Sequence, residues 1–495
     1  MENQKTSHPS GLYTLFATEF WERFSYYGMR ALLVLYLTAT FANGGFGLER
    51  SAALEIYAIF TGLVYLTPIL GGLLADKFLG QRKAIFIGGI VMAVGQFTIA
   101  ASVSYQPGAS VALRELLLYA GLGMIILGNG FFKPNISAIV GGLYDKDDPR
   151  KDSAFTIFYM GINSGAFLAP FVAGSLGEDI GWHWGYISAG TGMLLSLIWF
   201  YARRASLKQV GLPPNSAPDS KSLVFKDMLE ILYYSVACVA LIVGVVKLLD
   251  MFSEKTLDNM ILVALIAGSS YVGWTIVKGT SGKTEWSRVS AILVLAVFHV
   301  VFWSGFEQAG GTFNLFAQEN TQRMVFDWQI RASWFQALNP IFIVTLGVPF
   351  SLLWVWLSGM GKNPRTPYKF GFGLILVGIG FLLMIVAQGR ADTGVLVNPL
   401  FLVGVYFLHT AGELCISPVG LSLITKLAPD KIVSVMMGLW MASIALGNYL
   451  AGTMEAILEN FDLPLYPFLA AESIGAGLLI IIIGPLLVKM MKGIH

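Results

Sequence analysis

The chain has 495 residues, 55% of them hydrophobic and only 13% charged, a balance that fits a multi-span membrane protein and excludes an ordinary soluble domain. A formal net charge of +2 with no long basic tail leaves no footprint for nucleic acid. Cys238 and Cys415 sit in separate apolar runs without Cys-x-x-Cys or Cys/His spacing, which points away from a disulfide or a metal site.

Apolar segments of spanning length fall at about 12–42, 52–76, 83–103, 115–143, 153–176, 184–202, 229–249, 257–278, 289–317, 332–357, 369–388, 395–425, 432–458 and 465–488. The first run is too long and too charged for a cleaved signal peptide, so the residues before it are expected as a short cytosolic tail. Fourteen spans return both termini to one side. Of the 32 Lys and Arg residues, 22 fall in the loops on that side, including Lys5, Lys146 and Lys221, 7 fall in the opposite loops, and Arg23, Arg30 and Lys133 lie inside spans. This threefold bias puts both termini in the cytoplasm.

The first span carries Glu19, Glu22, Arg23 and Arg30, which with Tyr26 fall on one narrow stripe of a helix. At about 3 kcal/mol per charge near the bilayer centre, lipid exposure of four charges would cost roughly 12 kcal/mol. The stripe is therefore expected to line a wet, protein-walled cavity. Deeper in the chain, Lys133 is about ten residues from either end of the fourth span, too deep to snorkel. Glu413 lies near the middle of the twelfth span and Glu307 in the outer half of the ninth. His409, one turn before Glu413, reads as a packing residue or a proton partner of that carboxylate, and His299 chiefly as a packing residue. Each of these charges also suits a salt bridge that fastens helices together. Their distribution favours a binding role: cations Arg23, Arg30 and Lys133 in the first half and the lone carboxylate Glu413 in the second match the two ends of a zwitterion. Pro134 and Pro418, in the helices that carry Lys133 and Glu413, offer bending points.

A polar linker at about 202–226, containing Leu-Pro-Pro-Asn-Ser-Ala-Pro-Asp-Ser, reads as a hinge between halves. Phe20-Trp21-x-x-Phe24 recurs as Phe302-Trp303-x-x-Phe306, and Gly128-x4-Lys133-Pro134 as Gly412-x4-Ser417-Pro418. Two echoes in matching order favour a six-plus-six parallel repeat with an inserted helix pair. The expected domains are a six-helix bundle over 1–202, a cytoplasmic linker over 203–228, the helix pair over 229–278 and a second six-helix bundle over 279–495. The loop Gly72-x3-Asp76-Lys77-x2-Gly80-x-Arg82-Lys83 resembles the cytoplasmic signature of the major facilitator superfamily, in which Asp76 and the basic pair would latch two helices.

Glu19-x-x-Glu22-Arg23-Phe24-x-Tyr26-Tyr27-Gly28, Gly128-x4-Lys133-Pro134-Asn135, Phe158-Tyr159-x-x-Ile162-Asn163-x-Gly165, Phe302-Trp303-x-x-Phe306-Glu307-Gln308 and Gly412-Glu413-x3-Ser417-Pro418 together resemble the proton-coupled oligopeptide transporters of that superfamily, bacterial type. The resemblance implies an all-α membrane protein of the major facilitator fold with 14 spans, and symport of di- and tripeptides with protons into the cell. It implies that Arg23, Arg30 and Lys133 hold the peptide carboxylate and Glu413, Asn163 and Asn339 its amino group, with Tyr26, Tyr27, Tyr65, Trp303, Trp440 and Ser417 lining the pocket. Glu19, Glu22 and Glu307 would be the coupling carboxylates, Glu307 pairing with Arg30. Arg50 and Glu319 would form an outer gate, a pair that reads equally as two solvated loop charges. Ala166 stands where a serine is common, Phe131 and Phe132 are bulkier than usual beside Lys133, and the second span has no histidine. The expected setting is the plasma (inner) membrane, acting as a monomer, without cofactor or metal. A relative that has drifted to another substrate such as nitrate or an amphipathic drug is the alternative within transport; intact Glu19, Glu22, Arg23, Lys133 and Glu413 argue against it. A membrane enzyme is disfavoured, since no Ser/His/Asp set, metal-ligand spacing or paired acid site shares a face.

Overall fold

The computed structural model describes residues 7–103, 111–145, 148, 150–213, 225–249 and 254–493. Over them run α1 Ser10–Thr38, α2 Arg50–Leu74, α3 Gln81–Val103, α4 Val111–Gly142, α5 Lys151–Ala169, α6 Trp182–Arg203, α7 Phe225–Leu249, α8 Glu254–Gly279, α9 Gly282–Phe306, the short α10 Thr312–Glu319, α11 Leu338–Gly359, α12 Thr366–Ala391, α13 Leu400–Leu427, α14 Val433–Glu459 and α15 Leu465–Met490. A two-stranded hairpin pairs β1 Met324–Val325 with β2 Trp328–Gln329. Twelve of the helical stretches are long and apolar enough to cross a bilayer; α1, with its four charges, and α8 are the long helices outside that set. The expected span 289–317 proves to be two helices, because a 3-10 turn over Glu307–Gly310 and the backbone of Gly311 interrupt it. The segment 214–224 of the expected hinge, and Lys5, Lys146 and Lys221, lie outside the described residues.

The chain divides into two compact units. One comprises Met1–Glu49, Leu63–Leu248 and Arg331–Pro340; the other comprises Arg50–Gly62, Leu249–Ile330 and Ile341–His495. In the first, Leu12, Leu15, Ile85, Phe132, Phe158, Met193 and Phe200 form a buried core. Lipid removes the hydrophobic drive between helices, so close approach through small residues must hold them together. A Cβ added at Gly88 would sit 2.4 Å from Gly128 O, joining α3 to α4, and one at Gly165 would sit 2.2 Å from Phe20 O, joining α5 to α1. In the second unit, a Cβ at Gly371 would lie 3.0 Å from Gly477 O of α15 and one at Gly373 2.8 Å from Gly412 O of α13.

Both echoes in the sequence therefore have a packing meaning. Gly128 and Gly412 are each the point where a helix touches its predecessor's backbone, at Gly88 and Gly373 respectively. Trp21 packs edge-on against Phe20 and Phe24 at 5.2 and 5.6 Å, and Trp303 packs edge-on against Phe302 and Phe306 at 5.5 and 5.3 Å.

The basic pair after α2 grips both flanks of the linker. Arg82 donates from Nε to Val210 O (2.7 Å) and from Nη2 to Lys208 O (2.6 Å), and Lys83 Nζ lies 2.6 Å from both Asp227 Oδ1 and Glu230 Oε2 on α7. Asp76 accepts from Gln81 Nε2 at 3.4 Å. The start of the linker and the start of α7 are thus both tied to α3.

Candidate functional site

The α1 stripe is buried along its length: Glu19, Glu22, Arg23 and Tyr26 are at most 2% exposed and Arg30 8%. Arg23 donates from Nη2 to Glu22 Oε1 (2.6 Å) and from Nε to Glu22 Oε2, while the same Nε is 3.3 Å from Glu19 Oε1. Glu19 Oε2 has no hydrogen-bond partner among the described residues. The Arg23 guanidinium lies 5.1 Å from the Tyr26 ring and that of Arg30 5.7 Å from Tyr27, each cation resting on an aromatic face.

The first unit brings Lys133 of α4 to this stripe, where it interacts electrostatically with Arg23, Glu19 and Glu22. Its Nζ is 5.9 Å from the ring of Tyr65 on α2. Asn163 on α5 donates its side-chain amide to Tyr159 O at 2.9 Å, and Asn339, half-buried at the start of α11, belongs to the same unit. Two features where the α5–α6 connection of this unit meets the segment before α11 were not legible in the sequence. Glu178 accepts from the Ala332 and Ser333 backbone N–H groups (3.1 and 3.0 Å) and from Ser333 Oγ (2.6 Å), and Arg331 pairs with Asp179.

In the second unit, Glu307 is 3% exposed and occupies the first position of the break between α9 and α10. Its neighbour Gln308 fastens that break, donating from Nε2 to Ala451 O (2.8 Å) and accepting from Thr312 Oγ1 (2.7 Å). Glu413 and Ser417 lie half-buried on α13, and Ser417 Oγ has no hydrogen-bond partner among the described residues. His409 is set among Phe306, Phe313 and Phe381, with Nε2 at 3.2 Å from Val377 O. Of its two readings, packing has the direct contacts.

Trp303 is half-buried, whereas Trp440 is 2% exposed and stacked on His299 with centroids 4.0 Å apart. Arg50 donates from Nη1 to Glu319 Oε2 at 2.9 Å, and its Nε also donates to Glu455 Oε1 of α14 at 2.7 Å. Glu455 escaped notice in the sequence because it sits near the C-terminal end of α14, where a carboxylate reads as solvated.

Ion-paired charges buried within bilayer-length helices point to a membrane transporter, since such charges are costly in a membrane and are kept there for function. The POT family model matches residues 82–469. Peptide transporter YePEPT of Yersinia enterocolitica is 38% identical over 97% of this chain and 94% of its own. The di-/tripeptide transporter of Lactococcus lactis subsp. cremoris is 34% identical over 98% and 97%. A crystal structure of a mutant of peptide transporter POT in complex with alafosfalin is 37% identical, with a TM-score of 0.84 over 99% of this chain and 97% of that one. The chain belongs to the POT family. It has the major facilitator fold and is a transporter, not an enzyme.

Proposed function

We propose that this protein carries di- and tripeptides into the cell together with protons, by alternating access, as a monomer in the plasma membrane with both termini in the cytoplasm. The observation that carries the reading is one buried guanidinium, that of Arg23, shared by two buried carboxylates, Glu19 and Glu22. In this reading Arg23, Arg30 and Lys133 take the peptide carboxylate, while Glu413, Asn163 and Asn339 take its ammonium end. Tyr26, Tyr27, Tyr65, Trp303, Trp440 and Ser417 line the pocket. The six-helix bundles are residues 1–202 and 279–495, joined through the linker 203–228 and the helix pair 229–278.

Glu19, Glu22 and Glu307 carry the proton. Protonating Glu22 would take from Arg23 its nearest partner and leave it only the looser Glu19, so the buried guanidinium gains by meeting another carboxylate. A peptide C-terminus is that carboxylate, so proton and peptide bind cooperatively. Arg50 and Glu319 gate the outer side. A pH gradient of 1 unit supplies about 1.4 kcal/mol and 100 mV about 2.3 kcal/mol, enough for accumulation without ATP.

The test is uptake of unmodified dialanine by proteoliposomes holding the purified chain, with and without an inward proton gradient. The expected result is gradient-dependent accumulation of intact dipeptide. Uptake of neither dialanine nor trialanine by correctly folded protein overturns the reading.

A further inference from the structure

His299 occupies a place that packing alone does not explain. It is 2% exposed, on the same face of α9 as Trp303, and both ring nitrogens are engaged. Trp303 Nε1 lies 2.7 Å from His299 Nε2, and His299 Nδ1 lies 2.8 Å from Ser443 Oγ on α14. An indole N–H can only donate, so Nε2 must be the accepting, unprotonated nitrogen. Nδ1 then carries the proton and donates it to Ser443, whose hydroxyl in turn donates to Trp440 O at 2.6 Å. The loop closes on itself, because the Trp440 ring lies against the His299 ring, 18° from parallel. Each indole also rests where a glycine leaves room. A Cβ at Gly447 would sit 2.5 Å from Trp303 Cβ, and one at Gly420 would sit 2.5 Å from Trp440 Cζ2.

We propose that His299 is a positioning residue for substrate-side-chain selection. As the acceptor for the Trp303 indole and the stacking partner of Trp440, it holds the half-buried Trp303 ring in one orientation. The proposal rests on the reading that Trp303 faces transported peptide. Its physical basis is that a Trp side chain held by one directional hydrogen bond to a ring that is itself stacked in place, and that meets that ring edge-on at 5.8 Å, has a single orientation, whereas an unbonded indole samples several rotamers and presents a less defined wall. The consequence falls on large substrate side chains that reach the ring, and little on small ones.

The experiment uses the full chain in nanodiscs and proteoliposomes, with alanyl-phenylalanine and dialanine as probes. His299→Phe keeps a ring for the stack and removes the acceptor; His299→Gln offers a carbonyl in its place. The indole N–H resonance of Trp303, assigned by its loss in Trp303→Phe, is expected to move upfield in His299→Phe and to stay near its place in His299→Gln. KM for alanyl-phenylalanine is expected to rise about fivefold in His299→Phe, the effect of one neutral hydrogen bond, with kcat unchanged and dialanine little affected. His299→Gln recovers most of the affinity, and the KM effects of His299→Phe and Trp303→Phe for alanyl-phenylalanine combine less than additively in the double variant. If His299→Phe does not fold, Ser443→Ala, which removes the far end of the relay, must give the same selective rise. An unmoved indole resonance, equal losses for both peptides, or additive effects of the two substitutions overturns the proposal. If wild-type protein takes up neither peptide, the transport reading falls, and the indole resonance alone decides whether His299 holds Trp303.

Discussion

Arg23 and Glu22 are adjacent in sequence, and on a helix adjacent side chains point about 100° apart, yet their charged ends meet through two hydrogen bonds, Nη2 to Oε1 at 2.6 Å and Nε to Oε2. Only long side chains bending toward a common space can do this. The geometry leaves Glu19, one turn away at 3.3 Å, as the second and looser partner of the same guanidinium. Glu22 is thus the carboxylate whose protonation changes the Arg23 pairing most.

Glu22→Gln preserves shape and removes the titrating group. Gradient-driven dipeptide uptake is expected to disappear while exchange of labelled for unlabelled dipeptide under counterflow continues. Loss of both activities in a folded variant would count against a coupling role.

Lys133→Ala is expected to weaken binding of peptides with a free carboxylate by about tenfold or more, a charge-assisted hydrogen bond being worth about 1.5–3 kcal/mol. Peptides amidated at the C-terminus should lose far less. Isothermal titration of both ligands separates the outcomes, and equal losses would contradict charge matching.

Arg50 serves two carboxylates of unequal exposure, Glu455 at 18% and Glu319 at 47%. Exposed ion pairs contribute about 0–1 kcal/mol, whereas a hydrogen bond to a charged group that is mostly buried contributes about 1.5–3 kcal/mol. Thermal unfolding followed by tryptophan fluorescence should show a clear drop in Tm for Glu455→Gln and little change for Glu319→Gln. The reverse order would mean that Glu319 is the principal partner.

Gly165→Ala places a Cβ 2.2 Å from Phe20 O. That atom is backbone and cannot swing away, so α5 must move off α1 at a cost of about 1–3 kcal/mol. Gly347→Ala on α11 is the control, since nothing lies within 4 Å of the added carbon; it should leave Tm unchanged or raise it slightly, alanine being the better helix former. Equal Tm shifts in the two variants would show that the α1 contact is not limiting.

Much of the architecture follows from the sequence, because hydrocarbon leaves backbone groups no partner outside the helix, so a long apolar run must be helical. For the same reason Glu19, Glu22, Arg23 and Lys133 stood out as charges placed where they are costly. The interruption at 307–311 did not stand out, since Gly310 and Gly311 look like the many glycines that pack spans together. Pairings were hidden wherever they join distant helices. Arg50 finds Glu455 across 405 residues, His299 finds Ser443 across 144, and Arg82 reaches Lys208 across 126. Hydrophobic periodicity reports which face of a helix is buried but not which neighbour covers it. Only the packed tertiary structure, in which small residues decide how closely particular helices approach, settled the partners of Arg50, His299 and Arg82.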